Sequence, residues 1–379
     1  MERYAVVGRV VLGDDLAPGA VVIEGGRIAA VVREPRREGL PGTVIEAGIV
    51  APGLIDLQVN GGFGEEVGDD PGATRRLAAR LPETGVTAFL PTVVTSPAAF
   101  YQGVFDAFEA SRDAPGARLL GLHLEGPFLS PARKGAHRAE LMEAADGALF
   151  DRLLEHPALR LMTLAPERPG GMERIRRLRE RGVVVSLGHT DASYEGFVAA
   201  VDAGATMATH LYNAMSPFGH RAPGVIGAAL VEDRVVVGLI ADGVHSHPAS
   251  VQLAVRAKEA DGIALVTDMM AAAGMGPGTF HLGGRPVTVD GESARLADGT
   301  LAGAILTLDE AVRNMVRWTG ATPATAIRMA SEVPARVLGL ERLGRIAVGC
   351  EADLALFDDD LHVTAAIVGG RVAYRRENA

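Results

Sequence analysis

The chain has 379 residues, 48% of them hydrophobic, and a formal net charge of -10. That length suits one large domain plus a small one, no apolar run is long enough to span a bilayer, and the acidic balance argues against a general nucleic-acid binder. The single cysteine, Cys350, rules out an internal disulfide and fits a reducing cytoplasm.

In chain order, Met1-Glu2-Arg3-Tyr4 leads into a valine stretch broken by Gly8, Arg9 and Asp14, without the uninterrupted apolar core of a signal peptide. Ala5–Val7, Val10–Leu12, Ala20–Ile23 and Ile28–Val32 are β-rich, with turns predicted at Asp14-Asp15, Pro18-Gly19 and Gly25-Gly26. The other end repeats this texture in Gly344–Ile346, Ala352–Phe357, Ala366–Val368 and Arg371–Ala373. Two β-rich ends predict one small β-sandwich domain built from residues 1–50 and 344–379.

Residues 51–343 alternate strand and helix. Eight strands are expected: Gly53–Asn60, Val86–Val94, Arg118–Glu125, Leu159–Pro166, Val183–His189, Thr206–His210, Val235–Asp242 and Ile263–Asp268. Ala73–Glu83, Met172–Arg181, Tyr194–Ala203 and Ser250–Glu259 show amphipathic helical spacing between them, and Leu308–Thr319 and Pro323–Leu338 follow the last strand. Eight strand–helix units of this total size predict a (β/α)₈ TIM barrel. A doubly wound sheet would need a regular glycine-rich nucleotide turn after its first strand, and Gly61-Gly62-Phe63-Gly64 is not one.

The chemistry collects where apolar runs stop. Glu125 ends the third run, His189 follows the fifth and His210 the sixth. Each alone reads better as a satisfied structural group than as a ligand. Three at three strand ends point to a metal, because a barrel aims all its strand ends into one mouth. One carboxylate and two imidazoles form a catalytic zinc set that leaves a fourth position for water. Asp268 closes the eighth run as a spare carboxylate able to act as base. At the end of the first strand, Gln58 and Asn60 occupy i and i+2 on one face. Imidazoles there would add two ligands. Neutral amides are poor zinc ligands, so one tightly held ion is expected, with Gln58 and Asn60 bracing the site or marking a vestigial second position. His245, after the seventh strand, reads as a substrate contact. His137 lies in Arg133-Lys134-Gly135-Ala136-His137-Arg138, a basic stretch in an acidic chain. That stretch is either a solvated loop or a grip on an anionic or hydroxylated substrate, with His137 polarising a carbonyl. His220-Arg221 is a second basic pair, soon after Asn213-Ala214.

Several stretches in this order resemble the N-acetylglucosamine-6-phosphate deacetylases of the amidohydrolase superfamily: Pro52–Gly61, His123–Phe128, Lys134–His137, Gly188–Thr190, His210–Met215, Asp242–His245, Thr267–Met270 and Leu301–Gly303. His123–Phe128 and His210–Met215 are the specific signals. The ending Gly344–Gly349 with Ala352-Asp353 is shared more widely in the superfamily. The resemblance implies hydrolysis of the acetamide of N-acetylglucosamine 6-phosphate, with Glu125, His189 and His210 as metal ligands and Asp268 as catalytic base and acid. It implies substrate contacts from Ala136, His137 and His245, a phosphate region at Asn213, Ala214 and Arg221, and a lining segment at Leu301, Ala302 and Gly303. It also implies one divalent ion per chain, Zn2+ before Fe2+, Mn2+ or Co2+, and a homodimer in which Arg221 acts in its own or the neighbouring subunit. The competing expectations are another metal-dependent amidohydrolase, a silent sugar-phosphate binder on the same fold, and a purely structural barrel.

Overall fold

The computed structural model describes residues 3–377. Eight parallel strands follow one another around the sheet: β1 (Leu54–Val59), β2 (Val86–Val94), β3 (Leu122–Glu125), β4 (Leu159–Leu164), β5 (Val184–Leu187), β6 (Met207–Ala208), β7 (Val236–Leu239) and β8 (Ile263–Leu265). Their sequences are nearly continuous apolar runs because parallel strands between helices are buried on both faces. Beyond β8 the chain runs alongside β1 and closes the barrel. The Asp268 N–H donates to the Gln58 carbonyl at 3.0 Å, the Asn60 N–H donates to the Met269 carbonyl at 2.9 Å, and Val59 pairs with Met269.

A helix follows each strand: α1 (Pro71–Arg80), α2 (Phe100–Ser111), α3 (Gly147–Glu155), α4 (Gly171–Glu180), α5 (Tyr194–Ala203), α6 (Gly224–Val231), α7 (Pro248–Lys258) and α8 (Leu308–Thr319). Asp70 caps α1, accepting from the Gly72 and Ala73 N–H groups, and Ser193 caps α5 through the Gly196 N–H. The helix expected over Pro323–Leu338 is instead two short pieces, Pro323–Met329 and Glu332–Val337. Pro334 is the reason, since it has no N–H for the Ala330 carbonyl and its ring would meet that turn. The strand expected over Arg118–Glu125 is interrupted at Gly121, whose φ is +131 and whose Cα lies so close to Arg160 that a Cβ would sit 2.1 Å from its Cγ.

The two chain ends meet in a separate sheet of seven strands. Its order is Arg371–Arg375, Val363–Val368, Leu354–Phe357, Val44–Pro52, Tyr4–Leu12, Asp15–Glu24 and Arg27–Arg33. Hydrogen bonds make this one continuous sheet, and side chains from both halves share one core around Val6, Ile23, Val50, Leu354 and Ile367. Gly344–Ile346, expected as a strand, forms a bend, because Gly344 passes against the Ser331 carbonyl with a φ of +73. Met1, Glu2, Asn378 and Ala379, the outermost residues of the expected small domain, lie outside the described residues.

Between β8 and α8 the sequence reading missed a small antiparallel sheet of Gly278–Leu282, Arg285–Val289 and Ala294–Arg295. Leu282, Val287, Val289 and Leu296 pack with Met270 and Ala302 into its own core. Its signal was present: Gly283-Gly284 is a two-residue hairpin turn between alternating segments. Among the described residues, no helix is long and apolar enough to cross a membrane.

Candidate active site

Glu125 is the last residue of β3, His189 and His210 follow β5 and β6 by two residues, and Asp268 lies three beyond β8. All four are buried. The last three take left-handed backbone, with φ of 47° at His189, 30° at His210 and 52° at Asp268. Such positions cost about 1–3 kcal/mol each and persist only where the surroundings enforce them. At Asp268 the enforcement is visible. The Ala304 N–H donates to its carbonyl at 2.8 Å, and Gly303, at φ +69, packs so closely that a Cβ would lie 3.0 Å from that oxygen.

Glu125, His189 and His210 converge, with one ligand atom from each within 4.8 Å of the other two. The His210 Nε2 is 3.0 Å and the His189 Nε2 3.3 Å from Glu125 Oε1, and the two Nε2 atoms are 3.1 Å apart. The His189 Nδ1 is 2.9 Å from the Arg133 carbonyl, which can only accept, so Nδ1 carries a proton and Nε2 is the ring nitrogen turned to Glu125 and His210. Two imidazole nitrogens and a carboxylate oxygen at this spacing fit a divalent cation. Burial pushes the Glu125 carboxyl up, but the close imidazoles of His137, His189 and His210 hold it well below the usual carboxylate range. It is therefore anionic, as a ligand must be.

The amides in place of a histidine pair have a defined use. The Asn60 Nδ2 donates to Asp268 Oδ1 at 2.6 Å, and the Gln58 Nε2 donates to Asp268 Oδ1 at 3.0 Å and to Glu125 Oε1 at 3.1 Å. One amide group thus bridges two buried carboxylates. Burial and then the neighbouring Glu125 charge push the Asp268 carboxyl up to about 6. Beneath it, Asp56 accepts from the Thr267 hydroxyl at 2.6 Å and the Gln58 N–H at 3.1 Å, tying Gln58 on β1 to the residue that precedes Asp268. Burial pushes Asp56 up to about 7.

His137 approaches from the loop after β3. Its Nδ1 accepts the Thr95 N–H at 3.2 Å, and burial, then the neighbouring His189, lower its pKa to about 4. The ring is neutral and its proton is on Nε2, so the 3.5 Å approach of Nε2 to Glu125 Oε2 is not an ion pair. The His245 Nδ1 is held 2.7 Å from Asp242 Oδ2.

These groups surround one cavity of about 450 Å³, a size suited to a small-molecule ligand. Asn60, Glu125, Ala136, His137, His189, His210, Asn213, Ala214, His245, Asp268, Leu301 and Gly303 all reach it. Gln58 stands behind Asn60 and Asp268 and not in the lining, and two expected substrate-site residues do not reach the cavity either. Ala302 faces the other way, into the core of the inserted sheet, because side chains alternate along an extended segment. Arg221 is exposed and lies outside the lining of its own chain's cavity. Sequence reasoning missed Thr95, which follows β2 and carried the same signal as the residues it caught, a polar group directly after an apolar run. It also missed Leu282 and Thr300, which the inserted sheet brings to the rim.

Comparison with known proteins matches residues 49–373 to the amidohydrolase family. The N-acetylglucosamine-6-phosphate deacetylase of Bacillus subtilis (strain 168) is 40% identical over 372 residues, covering 95% of this chain and 94% of its own. The N-acetylgalactosamine-6-phosphate deacetylase of Escherichia coli O157:H7 is 42% identical over 360 residues, covering 93% of each. The N-acetyl-D-glucosamine-6-phosphate deacetylase of Mycobacterium smegmatis, solved as an aspartate-to-alanine mutant in complex with N-acetyl-D-glucosamine-6-phosphate, superposes with a TM-score of 0.92 at 34% identity, covering 98% of this chain and 100% of that one. Fold, strand-end residues and these likenesses agree: the chain belongs to the amidohydrolase family, in its N-acetylglucosamine-6-phosphate deacetylase branch.

Proposed function

We propose that this protein hydrolyses the acetamide of N-acetylglucosamine 6-phosphate to glucosamine 6-phosphate and acetate in amino-sugar metabolism in the cytoplasm. The observation that carries the reading is the facing of Glu125, His189 and His210 by Asp268 and the His137 Nε2–H across one cavity. Glu125, His189 and His210 hold a single divalent ion, zinc by the softness and number of the ligands. When bound, that ion polarises the amide carbonyl and acidifies the attacking water.

The chain's own residues do the rest. Asn60 and Gln58 both engage Asp268 Oδ1, which leaves Oδ2 to take the proton of the attacking water. Asp268 then returns that proton to the leaving amine, and the C–N bond breaks. The His137 Nε2–H, fixed by Thr95, donates to the oxyanion as the carbonyl becomes tetrahedral. His245 holds a sugar hydroxyl, and Asn213 and Ala214 cradle the phosphate. Binding of the distant phosphate positions the acetamide against the reactive groups. Arg221 reaches the phosphate across a homodimer interface, which accounts for its exposure outside its own chain's cavity.

A retained Asp268 disfavours the silent sugar-phosphate binder, since losing the base is the simplest route to one. Acetate release from N-acetylglucosamine 6-phosphate, from its galacto epimer and from the unphosphorylated sugar tests the substrate. Turnover of the phosphorylated sugars alone is expected, and equal turnover of the unphosphorylated sugar contradicts the phosphate site.

A further inference from the structure

Barrel interiors are filled mainly by branched apolar side chains. Here a polar layer lies beneath the candidate metal ligands. The His123 Nδ1 is 3.0 Å from the Leu57 carbonyl and its Nε2 is 2.8 Å from Thr163 Oγ1. Thr163 Oγ1 is 2.7 Å from Thr209 Oγ1, which is 2.6 Å from Ser186 Oγ. His123, Thr163, Thr209 and Ser186 are all buried, so water does not replace these bonds.

The protons in this row can be assigned. The Leu57 carbonyl only accepts, so Nδ1 of His123 carries a proton. No carboxylate touches the ring among the described residues, and burial without a counter-ion disfavours the imidazolium. The neutral ring therefore has its lone pair at Nε2, and the Thr163 hydroxyl donates to it. Thr163 has spent its one proton, so Thr209 donates to Thr163. By the same count Ser186 donates to Thr209. The result is a one-way chain, Ser186 to Thr209 to Thr163 to His123 to the Leu57 carbonyl. It crosses β5, the end of β6, β4, β3 and β1.

Each strand in that chain is one that bears a site residue or separates two that do. His123 is two residues before Glu125, Ser186 three before His189, Thr209 one before His210, and Leu57 one before Gln58. We infer that His123 and the hydroxyls of Thr163, Thr209 and Ser186 are positioning residues, whose one-way hydrogen-bond chain sets the depth and aim of the Glu125, His189 and His210 ligand atoms. A buried polar row with every group satisfied is rigid, and a gap in it strands donors and acceptors that then pull the strand ends apart. The inference rests on the metal reading of that cluster.

The test is zinc affinity, measured by chelator competition on metal-free full-length protein, with the Co2+ absorption spectrum as a second readout. Thr163→Val keeps the shape and cuts the chain in the middle. It is expected to weaken zinc binding roughly 10- to 100-fold, the range seen when groups supporting metal ligands are removed, and to alter the Co2+ spectrum. Thr163→Ser, which keeps the hydroxyl, is expected to bind like wild type. Ser186→Ala removes only the first donor and serves if Thr163→Val does not fold. Its expected loss is smaller, and wild-type zinc affinity in a folded Ser186→Ala protein overturns the inference in that case. A Thr163→Val protein with lowered Tm but wild-type zinc affinity and Co2+ spectrum has lost only a structural contact and overturns the inference alone. Wild-type protein that binds no zinc or cobalt overturns the metal reading, and this inference with it.

Discussion

The mouth of the barrel and the sheet built from the chain ends are made by opposite rules. In the end sheet, alternating Val, Ile and Leu bury one apolar core, and its charged groups pair at the exposed surface, as Arg9 does with Asp359 at 2.6 Å. At the mouth, Glu125, Asp268, His137, His189 and His210 are buried together, and five non-glycine residues, His189, His210, Tyr212, Ala214 and Asp268, hold left-handed backbone. One region gains stability from ordinary packing. The other spends stability to keep charged groups dry and aimed, which proteins tolerate where chemistry needs it.

Substitutions in the two regions should therefore separate turnover from stability. His210→Ala leaves two protein ligands, so metal retention and acetate release should both fall to background. Full zinc occupancy by elemental analysis would show that the cluster is misread. Asp268→Asn keeps the shape and the metal but cannot carry a proton. Its kcat should fall at least the ~10²–10⁴-fold typical of general acid–base catalysis.

A base role for Asp268 predicts a pH dependence. As base it must be ionised, so turnover should fall as pH drops through its pKa. Burial and Glu125 push that value up to about 6, and a bound cation pulls it down. An acid limb at or below that pH is expected in the wild type and absent in Asp268→Asn. An unchanged limb in the mutant would assign it to another group.

Arg221→Ala should raise KM for the phosphorylated sugar roughly 10-fold or more, the worth of one charge-assisted hydrogen bond, and leave the unphosphorylated sugar unaffected. Mixed dimers of this variant with a His210→Ala chain should regain some activity if the arginine crosses the interface. No recovery would return Arg221 to its own subunit. The smallest effect on turnover belongs to the end sheet. Ile367→Ala opens the core there and should cost about 2–5 kcal/mol of stability by denaturant unfolding, with kcat of the folded enzyme unchanged. A matching loss of kcat would break the contrast between the two regions.

The same contrast explains what the sequence disclosed. The barrel was legible because buried parallel strands are apolar runs and a polar residue after each run is conspicuous. Glu125, His189, His210 and Asp268 were found that way, and Tyr194–Ala203 was found by its helical spacing. α6 was not, because Gly224–Val231 is apolar on all sides and has no helical stripe to read. The left-handed φ values at His189, His210 and Asp268 carry no local signal, since none is glycine, and at Asp268 the enforcing contacts come from Gly303 and Ala304, far along the chain. Ala302 was misplaced because a run of three lining residues ignores the alternation of an extended chain. The use of Gln58 as a bridge between Glu125 and Asp268 was out of reach for another reason. It depends on β1 and β8 closing the barrel side by side, a contact between residues 210 apart in the chain.

The central claim is that one ion at Glu125, His189 and His210, with Asp268 beside it, drives hydrolysis of a phosphorylated N-acetyl sugar. The direct measurement is acetate release from N-acetylglucosamine 6-phosphate as metal-free protein is titrated with zinc. Activity should be absent at the start, rise linearly and reach its plateau near one zinc per chain. Full activity in the metal-free protein, or a plateau reached only at two tightly held ions per chain, would contradict the account.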